Sequence, residues 1–422
     1  MRAAARGTGV HRALSVQVLA WMCAFVLAAC GGGGDSTSQP ATSGQPQAAT
    51  NAGAGSTQLA ATANAVPISI DPGPSNDVNV PFVSVTVCVP GSNNCQTVDH
   101  VLVDTGSVGL RLFAAALNPA LALPPETTAN GALVHQCMQF ADGYTWGGVR
   151  VADVRMAGEL AGATPIQIMG DPAAPAAPSD CTSTGPNIND VRTFGANGVI
   201  GLGVFIEDCG PACAQNANVG VYYACQFNCA STTVPLAQQV QNPVARFAND
   251  NNGVVVTLPP VPAAGTTVLG GTLVFGIGTQ VNNGLGSAAV LTADPNSGYF
   301  TTLYKGQTLN DSFIDSGSNG IFFRDAEIPH CRKSFYCPTS TLNLSATNVG
   351  RNGAQSTVAF TVANADQVFA AHPDFAVFPG LASSNPDSSS FDWGLPFFFG
   401  RTVFTAIETR QTPAGRGPYF AY

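Results

Sequence analysis

Asp104 and Asp315 stand 211 residues apart in surroundings that nearly repeat. The first lies in Val101-Leu102-Val103-Asp104-Thr105-Gly106-Ser107, the second in Ser312-Phe313-Ile314-Asp315-Ser316-Gly317-Ser318. In each, a hydrophobic strand delivers one carboxylate into a tight turn, followed by a hydroxyl residue, a glycine and a serine. A signal written twice points to two halves that each give one carboxylate to a shared site. Two carboxylates pressed together cannot easily both ionise, so they share a proton. The ionised one can take a proton from a water held between them. The protonated one can give its proton to a carbonyl oxygen, and the product is a tetrahedral gem-diol with no covalent enzyme intermediate. The chemistry is that of a hydrolase.

The elements that must position these carboxylates read as strands. Val80–Val89, His100–Val103, Val149–Met156, Gly253–Leu258, Thr267–Ile277, Ser356–Val362 and Arg401–Glu408 are rich in Val, Thr, Ile and Phe. Helical periodicity is scarce, with Phe113–Leu117 and Leu236–Phe247 the best short candidates. With 46 Gly and 30 Pro among 422 residues, the pattern is many short strands joined by turns, an all-β fold. Two lobes are expected, at 66–245 and 246–422. A Pro-rich stretch, Asp171–Asp180, reads as a surface loop, and Glu207–Ser231 as a cysteine-laced insertion.

The motifs resemble those of the pepsin-like aspartic peptidases. In that family each lobe supplies an Asp-(Thr/Ser)-Gly loop, and a second element, two hydrophobic residues then Gly, threads behind it. Gly198-Val199-Ile200-Gly201-Leu202-Gly203 matches the first such element and Phe397-Phe398-Phe399-Gly400 the second. The resemblance runs from about residue 80 to the C-terminus. It implies a two-lobed fold and an aspartic endopeptidase acting on an extended peptide or protein substrate, with Asp104 and Asp315 catalytic and no cofactor or metal. Gly106 and Gly317 would let the turns bend and offer N–H groups to the carboxylates. Ser107 and Ser318 would bond the outer carboxylate oxygens, and Thr105 and Ser316 would cross-link the loops below. A flap hairpin would fall at Phe140–Gly147, with Phe140, Tyr144 and Trp146 as candidates for the aromatic beside the site. Where the family commonly has Ser and then Trp after the first loop, this chain has Val108-Gly109-Leu110-Arg111; Arg111 would face either the cleft or solvent. The alternative is a binding protein that kept the fold and lost turnover. Both carboxylates come from one chain, so a monomer suffices.

The N-terminus speaks to compartment. Arg2, Arg6 and Arg12 form a basic region before the apolar run Ala13–Ala29, which has the length of a signal segment and is short for a membrane span. It ends Leu27-Ala28-Ala29-Cys30 and then four glycines, resembling a bacterial lipobox with Cys30 as the lipidated, palmitate-bearing residue. Gly31 after that cysteine favours the outer membrane, facing the periplasm or the surface. The expected organisation is a signal peptide over 1–29 and a flexible tether over 30–65, rich in Gly, Ala, Ser, Thr and Gln.

Composition agrees with export. The net charge is −9, and more negative once the arginine-bearing leader is removed, which argues against nucleic acid as a partner. Of 12 cysteines, Cys23 leaves with the leader and Cys30 takes lipid, and the even remainder permits disulfides. Local pairing gives Cys88–Cys95, Cys209–Cys213, Cys225–Cys229 and Cys331–Cys337, leaving Cys137–Cys181. The sequence leaves open cross-pairing among Cys209, Cys213, Cys225 and Cys229, or a four-cysteine metal cluster there. No His-Glu-x-x-His, Gly-x-Ser-x-Gly or nucleotide-binding glycine loop is present.

Overall fold

The structure, a computed structural model, describes residues 64–331 and 335–422. The leader, Cys30 and the tether up to residue 63 lie outside the described residues. The fold is all-β and two-lobed. Fifteen strands form one continuous sheet, a further seven form a second sheet, and a two-stranded ribbon completes the set.

Side-chain patterning explains the main elements. In Pro81–Cys88 the residues Val83, Val85 and Val87 are buried while Ser84 is exposed and Thr86 half-buried between them, the alternation of a strand with one face inward. Gly198–Leu202 is buried at every position and pairs on both sides, parallel to Cys95–Asp104 and antiparallel to Val108–Phe113. One apolar cluster runs through both lobes and includes Val103, Ile200, Ile314 and Trp393.

The lobes share backbone pairing. The strand Ala65–Ile70 pairs along its length with Leu269–Phe275, from Ala65 opposite Val274 to Ile70 opposite Leu269, and also meets Pro81–Cys88. Asn64 donates to the Phe275 carbonyl at 2.9 Å, so the last two residues of the tether expected over 30–65 are already bonded to the second lobe. The N-terminal strand thus belongs in pairing to the second lobe. The boundary drawn at 245/246 falls inside the 3-10 turn Pro243–Arg246.

The helical expectations shrink. Leu236–Phe247 is not one helix but two 3-10 turns, Leu236–Gln238 and Pro243–Arg246. Pro243 has no N–H to continue a helix and biases Asn242 to extended backbone, where the Asn242 side chain accepts from Val244 N–H at 3.1 Å. Phe113–Leu117 reduces to the 3-10 turn Ala114–Ala116. The longest helix among the described residues, Ala365–Ala371, is capped by Asn364 and is too short to leave a periodic signal.

The insertion Glu207–Ser231 is built from the short helix Pro211–Gln215 and the hairpin Tyr222–Cys225 with Cys229–Ser231. Tyr222–Cys225 extends the large sheet beyond Leu133–Gln139. The disulfides are Cys88–Cys95, Cys137–Cys181, Cys209–Cys213, Cys225–Cys229 and Cys331–Cys337. Cross-pairing and the four-cysteine metal cluster are therefore excluded. Among the described residues, no helix is long and apolar enough to cross a membrane.

Candidate active site

Each aspartate sits where a strand ends and its chain turns back. Asp104 closes the strand Cys95–Asp104, and Asp315 follows directly on Gln307–Ile314. The two turns meet face to face. Thr105 Oγ1 donates to the Ile314 carbonyl at 3.1 Å and accepts from Ser316 N–H at 2.9 Å. Ser316 Oγ answers by donating to the Val103 carbonyl at 2.7 Å and accepting from Thr105 N–H at 3.2 Å. All four partners are buried, so each hydroxyl satisfies backbone groups that water cannot reach. This reciprocal lock fixes one loop against the other.

Above the lock the carboxyls of Asp104 and Asp315 are in hydrogen-bond contact, each about 5% exposed. The glycines make this approach possible. A Cβ on Gly106 would fall 2.5 Å from Asp315 Cγ, and one on Gly317 would fall 2.7 Å from Asp104 Cγ. Each carboxyl therefore rests on the opposite loop's glycine.

The hydrogen bonds to the two carboxyls differ. Asp104 Oδ1 accepts from Gly106 N–H at 2.8 Å and Ser107 N–H at 3.0 Å, and its Oδ2 accepts from Ser107 Oγ at 2.5 Å. Asp315 Oδ1 accepts from Gly317 N–H at 2.8 Å and its Oδ2 from Ser318 Oγ at 2.8 Å. The Ser318 N–H is spent on the Asp315 backbone carbonyl instead, at 3.4 Å. Burial raises both carboxyls. Asp104 nonetheless lies below the ordinary carboxylate value, and the bonds from Asp315, Ser107 and Gly106 are among the influences that lower it. Asp315, buried and beside the Asp104 charge, is pushed up to about 7. The pair is thus unequal, with Asp104 the stronger acid and Asp315 the weaker.

A strand crosses behind each loop. In the first lobe it is Gly198–Leu202, with Asp104 opposite Gly201. In the second lobe it is not the run Phe397–Gly400 expected from the resemblance. Asp392–Trp393 lies parallel to the second aspartate strand, Phe313 opposite Asp392 and Ile314 opposite Trp393, and the Asp315 N–H donates to the Trp393 carbonyl at 3.1 Å. Gly394 is the crossing glycine: a Cβ there would sit 1.9 Å from the Gly320 carbonyl oxygen, just as one on Gly201 would sit 2.4 Å from Val108 N. Phe397 and Phe398 instead end a buried 3-10 turn, and Gly400 turns the chain at φ +74° into the strand Arg401–Ala406. The signal that could have located the true element is the Gly-Leu pair shared by Gly201-Leu202 and Gly394-Leu395. Asp392 hid it, because a carboxylate stands where two hydrophobic residues were sought.

The flap candidates lie on a real hairpin, Leu133–Gln139 with Tyr144–Met156. Tyr144 and Trp146 are packed into a cluster with the Cys137–Cys181 disulfide and Tyr223. The Trp146 indole N–H donates to the Pro175 carbonyl at 2.8 Å in the Pro-rich loop, and its ring stacks on His135. Phe140 packs edge-on against Phe194. Each of these three rings is thus held within the first lobe. Sequence reasoning missed a different aromatic wall: Tyr299, Phe313 and Phe205 line a cavity of about 30 Å³ that opens beside Thr105 and Gly106.

Arg111 faces neither the cleft nor solvent. It is fully buried, donating to Asp208 Oδ2 at 2.7 Å and to the Val108 carbonyl at 2.7 Å. Tyr222 donates to Asp208 Oδ1 at 2.7 Å, and Gln136 also donates to this carboxylate. The ion pair ties the cysteine-laced insertion to the strand that leaves the first aspartate turn.

The class that fold and site define is an all-β protein with a carboxyl pair donated by two interlocked loops. Residues 60–422 match the family described as "Protein of unknown function (DUF3443)", and the chain belongs to that family. No curated protein matches it in sequence. Among solved structures it is similar to the crystal structure of aspartic proteinase from Irpex lacteus, at 14% identity over 85% of this chain and 96% of that one, with a TM-score of 0.49. At that distance the catalytic reading rests on the geometry of this chain alone.

Proposed function

We propose that the protein is an aspartic endopeptidase. The observation that carries this reading is the contact between the Asp104 and Asp315 carboxyls, one held below and the other above the usual carboxylate range. Two titratable groups pushed apart in acidity are an assigned base and acid. Asp104, ionised, accepts a proton from a water between the carboxyls. Asp315 gives its proton to the carbonyl oxygen of the scissile peptide. The water oxygen bonds to the carbonyl carbon, giving a neutral gem-diol. Asp104 then returns its proton to the leaving nitrogen as the C–N bond breaks, and Asp315 recovers a proton from one gem-diol hydroxyl. The substrate class is an extended peptide lying across the carboxyl pair.

The same reading places the protein outside the cytoplasm, anchored by lipid at Cys30 to the bacterial outer membrane. Five disulfides suit an oxidising compartment. Labelled palmitate should enter the wild-type protein and not a Cys30→Ser form; equal labelling of the two would remove the anchor.

The test of activity is cleavage of an unbiased peptide library by the purified protein across acidic to mildly alkaline pH, with and without a statine-type transition-state inhibitor. Cleavage blocked by the inhibitor supports the peptidase. A folded, fully disulfide-bonded protein that cuts nothing would leave a peptide-binding role for the cleft.

A further inference from the structure

Ser318 Oγ lies 2.8 Å from Asp315 Oδ2 and 2.7 Å from Asp392 Oδ2. A hydroxyl carries one proton and can donate to one of these oxygens only. Were both carboxylates, the second contact would set a lone pair against a lone pair. With Asp315 ionised, both contacts can be hydrogen bonds only if Asp392 brings its own proton. Asp392 is about 2% exposed, and its Oδ1 is buried with no hydrogen-bond partner. Asp315 Oδ1 is bonded by Gly317 N–H. The acid with the poorer solvation is the one that stays neutral.

We infer that Asp392 is a third acid of the site, a neutral carboxyl that donates to Ser318 Oγ and so commits the Ser318 proton to Asp315. It is a positioning residue, acting on Asp315 through Ser318. The groups facing it are Asp315, from the adjacent strand, and Asp104 across the pair. The neighbouring strand Ile321–Phe322 and the turn Leu395–Phe398 bring only apolar side chains. Burial and the Asp315 charge both push the Asp392 carboxyl well above the ordinary range, in line with this geometry. The first lobe has nothing comparable: Val199 occupies the register position of Asp392, opposite Leu102, and Ser107 Oγ donates to Asp104.

The inference deepens the peptidase reading, on which only its kinetic test depends. The first test is isotope-edited infrared spectroscopy of the protein with labelled aspartate, at a pH above the point where Asp315 ionises. The wild type should show a neutral-carboxyl band that is lost in Asp392→Asn. An unchanged band would mean Asp392 is ionised and would overturn the proposal, whether or not the protein cleaves peptides.

The second test is the pH profile of kcat/KM. The Asn amide still donates to Ser318, so the alkaline limb of Asp392→Asn should stay within about 0.3 pH unit of wild type. Asp392→Val removes the donor and weakens the Ser318 bond that favours ionised Asp315. Asp315 then holds its proton more tightly, and the limb should move up by about half a pH unit. In a Ser318→Ala background the Val change should add nothing. A downward shift of a unit or more in the Asn form would reveal a lost negative charge and sink the idea. A Val effect that survives in Ser318→Ala would show that it does not act through Ser318.

Discussion

The two aspartate loops carry almost the same letters and do different work. Seven residues after Asp104 stands Arg111, opposite Val199 on the crossing strand; seven after Asp315 stands Phe322, opposite Asp392. The ionisable side chain has moved from the returning strand to the crossing strand. In the first lobe it turns outward from the site, to Asp208 and the insertion. In the second it turns toward the site, to Ser318. Asp104 also receives one more backbone N–H than Asp315. A repeated motif therefore builds an unsymmetrical pair, and that asymmetry is what the proposed peptidase reaction would use as its base and acid.

The comparison breaks most completely if either carboxylate is removed. Asp104→Asn and Asp315→Asn should each lower kcat by about a thousandfold or more, measured on a peptide the wild type cuts. Activity within about tenfold of wild type in either single variant would mean that the loops are not partners. Next comes the close approach of the loops. Gly106→Ala or Gly317→Ala puts a methyl within 2.7 Å of the opposing carboxyl carbon and must push the pair apart. A displacement of that size should cost about a hundredfold in kcat. Crystal structures of the variants would show whether the carboxyls have separated.

The asymmetry itself is sharpened by the buried ion pair. Arg111→Leu strands the Asp208 carboxylate in the interior and should destabilise the protein by about 3–5 kcal/mol in denaturant unfolding. The pH profile of the folded fraction should hardly move, because Arg111 has no contact with either catalytic carboxyl. A large shift in that profile would show that the buried ion pair and the carboxyl pair are one coupled charge system.

Smaller effects lie in the pH limbs. Activity requires ionised Asp104 and protonated Asp315, so it should fall as pH rises through about 7, where Asp315 loses its proton. The acid limb should lie below the ordinary aspartate range, since Asp104 must ionise there. Ser107→Ala deletes a bond to the charged form of Asp104 and should move the acid limb up by about one pH unit. The alkaline limb should stay in place, since Ser107 makes no bond to Asp315. A Ser107→Ala form with an unmoved acid limb would show that its contact with Asp104 contributes little to the split.

Much of this site was legible in the chain, for reasons that differ from part to part. The aspartate turns were readable because Asp-hydroxyl-Gly-Ser is a local demand: the turn, its glycine and its serine bond lie within four residues. Strand positions such as Gly253–Leu258 were readable because β-branched runs bounded by turn residues announce themselves. The lock between Thr105 and Ser316 was inferred only through resemblance, since nothing local sets residues 211 apart against each other. The second crossing strand was misplaced because three phenylalanines satisfied a pattern that Asp392 broke. Arg111 was misjudged because its partner, Asp208, lies 97 residues on.

By itself, then, the sequence determined the two carboxylates, the turns that carry them, the β character of the chain and an even set of cysteines able to pair. These follow from short-range sterics and hydrogen bonding, which neighbouring residues settle among themselves. Only the tertiary structure decided that the carboxyls touch, that the N-terminal strand pairs into the second lobe, and that Asp392 stands behind one loop and Val199 behind the other. Those outcomes depend on which buried polar groups find partners across long stretches of chain. That matching raises one aspartate and lowers its twin.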